Sequence, residues 1–199
     1  MSHLLTYLKK KPLIWFLLSI PLIWILSETM TYPVRFYKFW SRSVSISGFS
    51  ALGCFVLCLS LTPLNKLFST SQLLKVLNRH RRELGLSSFY YACIHFLSYL
   101  IKKRLKTGEI PWTLFLHPVI IAGVSAFCLL LVIASISNDY SIRKLGWDKW
   151  KKIQSLAYLA QAAIFLHLVL QHETQIFWAL VLFIPLFIIQ MLRFRKKDQ

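Results

Sequence analysis

Two histidines stand inside apolar runs of this chain: His95 in "YYACIHFLSYL" and His167 in "QAAIFLHLVLQH". A polar ring away from water carries a desolvation cost and needs partners for its nitrogens. Two neutral imidazoles from different helices suit the axial positions of a b-type haem iron. No CxxCH stretch is present for covalent haem attachment. A zinc ion would need three or four clustered ligands. Cys54, Cys58, Cys93 and Cys128 all fall in apolar runs and form no CxxC pair, so they read as small buried hydrophobes. The bland alternative for the two histidines is an interhelical hydrogen bond, worth about 0.6 to 2 kcal/mol in membranes.

Helical spacing gives each histidine a depth and a face. His95 lies eight residues past Ser87 and His167 twelve past Ser155, rises of about 12 and 18 Å. Both then fall in the middle or outer half of their spans. Ala160 and Ala163 share a face with His167, leaving room for a flat group; Ser88, Tyr91, Ser98 and Tyr99 share one with His95. His117 and His172 sit at the ends of apolar runs and read as interfacial, and His3 is in the N-terminal tail. His80 belongs to the basic stretch "NRHRRELGL". There, contact with anionic lipid headgroups and a cofactor role are both open.

The elements that must position these rings follow from composition. A chain of 199 residues is read as a single domain, 1–199. Its residues are 56% hydrophobic and 15% aromatic, above the soluble norm. In a soluble protein a formal charge of +17 would point to nucleic acid. Here the cations cluster between apolar runs, the layout of a polytopic membrane protein. Lipid is therefore the expected environment and no nucleic-acid partner is expected.

Six apolar runs predict an all-α membrane helix bundle: Pro12–Leu26, Ile46–Leu64, Ser87–Ile101, Thr113–Ser137, Ser155–Leu170 and Gln175–Leu192. A spanning helix needs about 20 mainly apolar residues. The first, third and fifth runs are shorter and must be extended by flanking Ser, Thr, Tyr and Lys. The basic start and first run read as an uncleaved helix, since no small-x-small cleavage site follows. Pro21 and Pro185 should kink the first and last spans.

Cations fix the expected orientation. With the N-terminus inside, the inner segments hold Lys9, Lys10 and Lys11; Lys66, Lys75, Arg79, Arg81 and Arg82; Arg143, Lys144, Lys149, Lys151 and Lys152; and Arg193, Arg195, Lys196 and Lys197. The outer segments hold Arg35, Lys38 and Arg42, then Lys102, Lys103, Arg104 and Lys106. Seventeen against seven places both termini in the cytoplasm. No phosphate loop, nucleophile elbow or internal repeat is evident, and none of the seven acidic residues lies deep in a span. That disfavours an ion pathway built on membrane carboxylates.

Several stretches resemble one family when taken in order: "YPVRFY" from Tyr32, "SGFSALG" from Ser47, "LTPL" from Leu61, "RRELGL" from Arg81, "HFLSY" from His95 and "SIRKLGWDKWKKIQSLAYL" from Ser141. The chain resembles the MsrQ (YedZ) family, haem-binding membrane subunits of the bacterial protein-methionine-sulfoxide reductase system within the ferric-reductase-like transmembrane group. The resemblance implies a multi-pass protein of the bacterial inner (plasma) membrane carrying haem b, with FMN also associated with the family. It implies electron transfer from a cytoplasmic flavin reductase or the quinone pool to a periplasmic molybdopterin reductase subunit. His95 and His167 match family histidines implicated in haem binding. The family's W-x-x-L-H reads here Trp150 to Gln154, with glutamine in the histidine's place, and its R-P-Y reads His117-Pro118-Val119.

Glutamine is a poorer haem ligand than imidazole, so the resemblance implies an outer haem, and for an inner one only the weaker candidates Gln154 and His80. On an ideal helix, Gln154 would sit about 140° round from His167. His80 would sit about 60° round from His95 and about 22 Å inward. Two other readings stand beside the haem electron-transfer subunit: a degenerate non-haem scaffold and a small transporter.

Overall fold

A computed structural model of the chain describes residues 11–33, 36–171 and 173–195. His3, Lys9, Lys10, Arg35, His172, Lys196 and Lys197 lie outside the described residues. Every regular element among the described residues is helical: α1 (Lys11–Thr31), α2 (Tyr37–Leu67), α3 (Gln72–Arg79), α4 (Arg81–Thr107), a 3-10 turn (Trp112–Leu116), α5 (Pro118–Ser135), α6 (Asp139–Leu145), α7 (Trp147–Gln154), α8 (Leu156–Val169) and α9 (Glu173–Arg195). Among the described residues, six stretches are long and apolar enough to cross a membrane: α1, α2, α4, α5, Trp147–Val169 and Gln175–Leu192.

The short apolar runs lengthen as expected. The third grows at both ends into the 27 residues of α4, through Arg81–Leu86 and Lys102–Thr107. Gly108 stops it in the left-handed region (φ 78°), its N–H turned back to the Arg104 carbonyl, a cap that favours glycine. The second begins at Tyr37 and reaches 31 residues. The fourth is shorter than its apolar run. Its first residues form the 3-10 turn, and Pro118 opens α5 at a position whose missing N–H costs nothing. The fifth is broken at Ser155, between α7 and α8.

The chain divides into two compact units, residues 1–110 with 185–199 and residues 111–184. In the first, α2 and α4 form an antiparallel hairpin. The pairings run in opposite senses: Ser43 to Ser98, Ala51 to Ser88, Cys58 to Arg81. Small hydroxyl residues line it: Ser43, Ser47, Ser88 and Ser98 are all buried. Lipid is as apolar as leucine, so close approach of backbones and interhelical hydrogen bonds hold such pairs together. The Ser43 and Ser98 hydroxyls are 2.8 Å apart, and Ser88 Oγ donates to the Ala51 carbonyl at 2.9 Å.

Pro21 breaks the hydrogen-bond ladder of α1, and Tyr91 of α4 reaches into the gap. Its hydroxyl donates to the Leu18 carbonyl and accepts from the Leu22 N–H at 3.2 Å. In hydrocarbon, freed backbone groups near a helix proline need such a partner. This contact ties α1 to the face of α4 that carries His95.

In the second unit, α5 and α8 form the corresponding antiparallel hairpin, with Val119 level with His167 and Ile133 with Gln154. Its buried small residues are alanines: Ala122, Ala126 and Ala160. Phe165 meets the fully buried Phe183 ring edge-on, centroids 5.6 Å apart.

Candidate functional site

His95 lies midway along α4 but against the first third of α2. Its Nδ1 is 2.9 Å from the Val44 carbonyl oxygen. His167, near the end of α8, repeats the arrangement. Its Nδ1 is 2.9 Å from the Val119 carbonyl oxygen of α5. A carbonyl only accepts, so in both rings Nδ1 carries the proton and the lone pair sits on Nε2. This is the neutral tautomer in which histidine binds a metal. A backbone carbonyl on the other ring nitrogen is the usual second-sphere contact that fixes the ring.

The Nε2 of His167 has a partner close by in sequence. The Gln171 side-chain amide lies one turn beyond His167 and its nitrogen is 3.0 Å from His167 Nε2. Its N–H therefore donates to that lone pair. The spacing i, i+4 made Gln171 visible in the sequence, but nothing there marked it as a partner of the ring. Around His95, the residues expected on its face are present and engaged: Ser88, Tyr91 and Ser98 are buried and hydrogen-bonded. Around His167 the expectation of open space is corrected in part. Ala160 is fully buried, so its small size serves helix packing.

His80 and Gln154 occupy other surroundings. His80 is the joint between α3 and α4, so the extrapolation of α4 inward from His95 stops at Arg81. It is buried, with Nδ1 3.9 Å from Glu83 Oε2, and Lys11 Nζ stands 3.6 Å from Glu83 Oε1. Beside them Arg81 Nε donates to the Cys58 carbonyl at 3.2 Å. Gln154 ends α7 and turns to α5: its Nε2 donates to Ser137 Oγ at 3.1 Å and approaches the Ile133 carbonyl at 3.4 Å. Trp150, one turn earlier, donates to the Ile136 carbonyl at 3.0 Å. The pair thus closes the C-terminal end of α5, whose last carbonyls have no partner within the helix.

At the far end of the first unit, Lys102 stacks over the Tyr37 ring (5.5 Å), and Lys38 and Arg42 lie over Tyr32 (5.9 and 5.7 Å). Arg42 also forms a two-pronged ion pair with the buried Glu28, at 2.6 and 2.8 Å.

Residues 47–166 match the model of the ferric reductase like transmembrane component, a stretch that contains His95, His80 and Gln154 and stops one residue short of His167. The chain belongs to that family. With six apolar helices, it is a multi-pass membrane protein. The chain is 38% identical over 121 residues to the protein-methionine-sulfoxide reductase heme-binding subunit MsrQ of Rhizobium meliloti, covering 60% of this chain and 53% of that one. The MsrQ of Agrobacterium fabrum is 37% identical over 128 residues, 64% of this chain and 57% of its own. A magnetosome protein, MamZ of Magnetospirillum gryphiswaldense, is 28% identical over 177 residues, 82% of this chain and 26% of its own length. The chain therefore spans about half the length of these MsrQ relatives and about a quarter of MamZ. No solved structure matches it.

Proposed function

We propose that the chain is a b-type haem membrane electron-transfer subunit, with His95 and His167 as axial ligands of one haem. The observation that carries this is the matched pair of imidazoles, each presenting Nε2 in the ligand tautomer with Nδ1–H fixed on a main-chain carbonyl. Two half-buried imidazoles in this family's fold, sharing one tautomer and one type of acceptor, suit haem iron better than a plain interhelical bond, which asks for neither. When bound, haem supplies a one-electron couple. The chain supplies two imidazoles fixed on main-chain carbonyls.

The names of the MsrQ relatives support a methionine-sulfoxide reductase system. On that reading the whole chain, 1–199, is one haem domain of the bacterial inner membrane with both termini in the cytoplasm. The donor is a cytoplasmic flavin reductase, with or without FMN, or a quinone. The acceptor is a periplasmic molybdopterin reductase subunit. The exposed cations Lys38, Arg104 and Lys106, with the half-buried Lys102 and Lys103, stand at the end that this orientation places outside, where a water-soluble partner would dock. Gln154 and His80, engaged with Ser137 and beside Glu83, are not needed for that haem.

A pyridine haemochrome assay on the purified, haem-supplemented chain tests the reading. One haem per chain is expected, with a Soret band and bis-imidazole α and β bands on reduction. Clean protein without haem would refute it and leave the scaffold or transporter reading.

A further inference from the structure

Gly48 and Gly123 lie inside α2 and α5, where glycine is less favourable than alanine. Neither has a left-handed backbone, so neither is present for conformational freedom. Space is the reason. A Cβ on Gly48 would meet His95 Nδ1 at 2.8 Å and Cε1 at 3.0 Å. A Cβ on Gly123 would meet His167 Nδ1 and Cε1, both at 2.9 Å. Side-chain carbons do not approach so closely, so an alanine at either place must displace the ring or part the helices. Other helical glycines lack this contact: Gly53 would meet nothing within 4 Å, and Gly85 only Cys58 Sγ at an ordinary 3.6 Å.

In both hairpins the accepting carbonyl lies four residues before the glycine: Val44 before Gly48, Val119 before Gly123. A residue four back on a helix stacks one turn away on the same face. The missing side chain thus leaves a shallow bay one turn long, with the carbonyl at one end and the imidazole pressed against bare backbone.

We propose that Gly48 and Gly123 are positioning residues that seat the two imidazoles so firmly that neither axial ligand exchanges, keeping the haem closed to small ligands such as CO or O2. This rests on the assignment of His95 and His167 as ligands. A methyl at either glycine pushes the ring off its carbonyl, and the opposite ring nitrogen moves with it. A ligand held off its position leaves iron open on that side, and open haem iron takes CO.

The test compares haem-loaded full chains carrying Gly48→Ala, Gly123→Ala and, as control, Gly53→Ala. The native chain and the Gly53 variant should stay low-spin with only a trace of CO adduct. The other two should show high-spin bands and about tenfold more CO-reactive haem, the population change expected from weakening one part-buried hydrogen bond. Full haem content with a native spectrum and no CO binding in both variants would overturn the proposal.

If a variant loses haem altogether, thermal unfolding of the haem-free proteins decides. Gly123→Ala should lower Tm in the native background and become silent beside His167→Ala, because the ring it strikes is gone. Gly48→Ala should behave alike with His95→Ala. Equal losses in both backgrounds would mean that the methyl disturbs helix packing alone, which also overturns the proposal. The same cycle separates the two readings: native protein that never takes up haem defeats the electron-transfer assignment, while the cycle still tests the seating of the rings.

Discussion

The α2/α4 hairpin and the α5/α8 hairpin present their histidines in the same way and support them differently. In each, an imidazole bonds a carbonyl near the start of the opposing helix. The first hairpin backs this with a serine network and with Tyr91, which brings in a third helix. The second is lined by alanines, and its histidine lies two residues from the end of α8 with Gln171 on its other nitrogen. The lesson is that one turn of backbone sets the ring, while the packing behind it is free to differ. A main-chain carbonyl is an acceptor no substitution can delete, which makes it a robust anchor for a ligand.

Six substitutions would break or sharpen this likeness, taken from the largest effect down. His95→Ala and His167→Ala should each abolish haem binding, and equally so if the two hairpins are equivalent; the haemochrome assay reads this directly. Retention of full haem in either variant would break the likeness at once. Ala160→Leu and Ser88→Leu change the buried position seven residues before each histidine. Each should destabilise by about 1–3 kcal/mol through overpacking, followed by unfolding in detergent.

Tyr91→Phe acts on one hairpin alone. It strips two backbone groups of α1 of their shared partner, at a cost of about 1–2 kcal/mol, while haem content stays. Loss of haem without loss of stability would show that the hydroxyl serves His95 instead. Gln171→Ala frees the His167 lone pair from a competing donor. Net hydrogen bonds of about 1 kcal/mol predict a haem affinity about fivefold higher, measured by haem titration; unchanged affinity would show that Gln171 never competes with iron.

Much of this was legible in the sequence. The six spans followed from hydropathy, because a helix in lipid must be apolar for its whole crossing. Their ends did not, because Tyr, Lys and Arg at the interface belong to the helices as much as to the loops. The second span begins at Tyr37, nine residues before its apolar run. His95 and His167 stood out because an ionisable ring in lipid is costly. Their partners were hidden, since Val44 and Val119 act through carbonyls that every residue has. Val44 and Gly48 with His95 correspond to Val119 and Gly123 with His167, too few residues to read from the sequence as a repeat. Tyr91 was placed on the right face, but its service to Pro21 needed the fold. The ideal-helix angle between Gln154 and His167 was undone by the break at Ser155.

The carbonyl anchors have one more consequence, for protons. A main-chain carbonyl is almost without basicity, so the hydrogen on each Nδ1 has nowhere to go. With Nε2 committed to a metal, the ring has no second site at which to gain one. On the proposed assignment both rings then hold a single tautomer, and neither serves as a relay for protons. Charge would cross this part of the membrane as electrons alone.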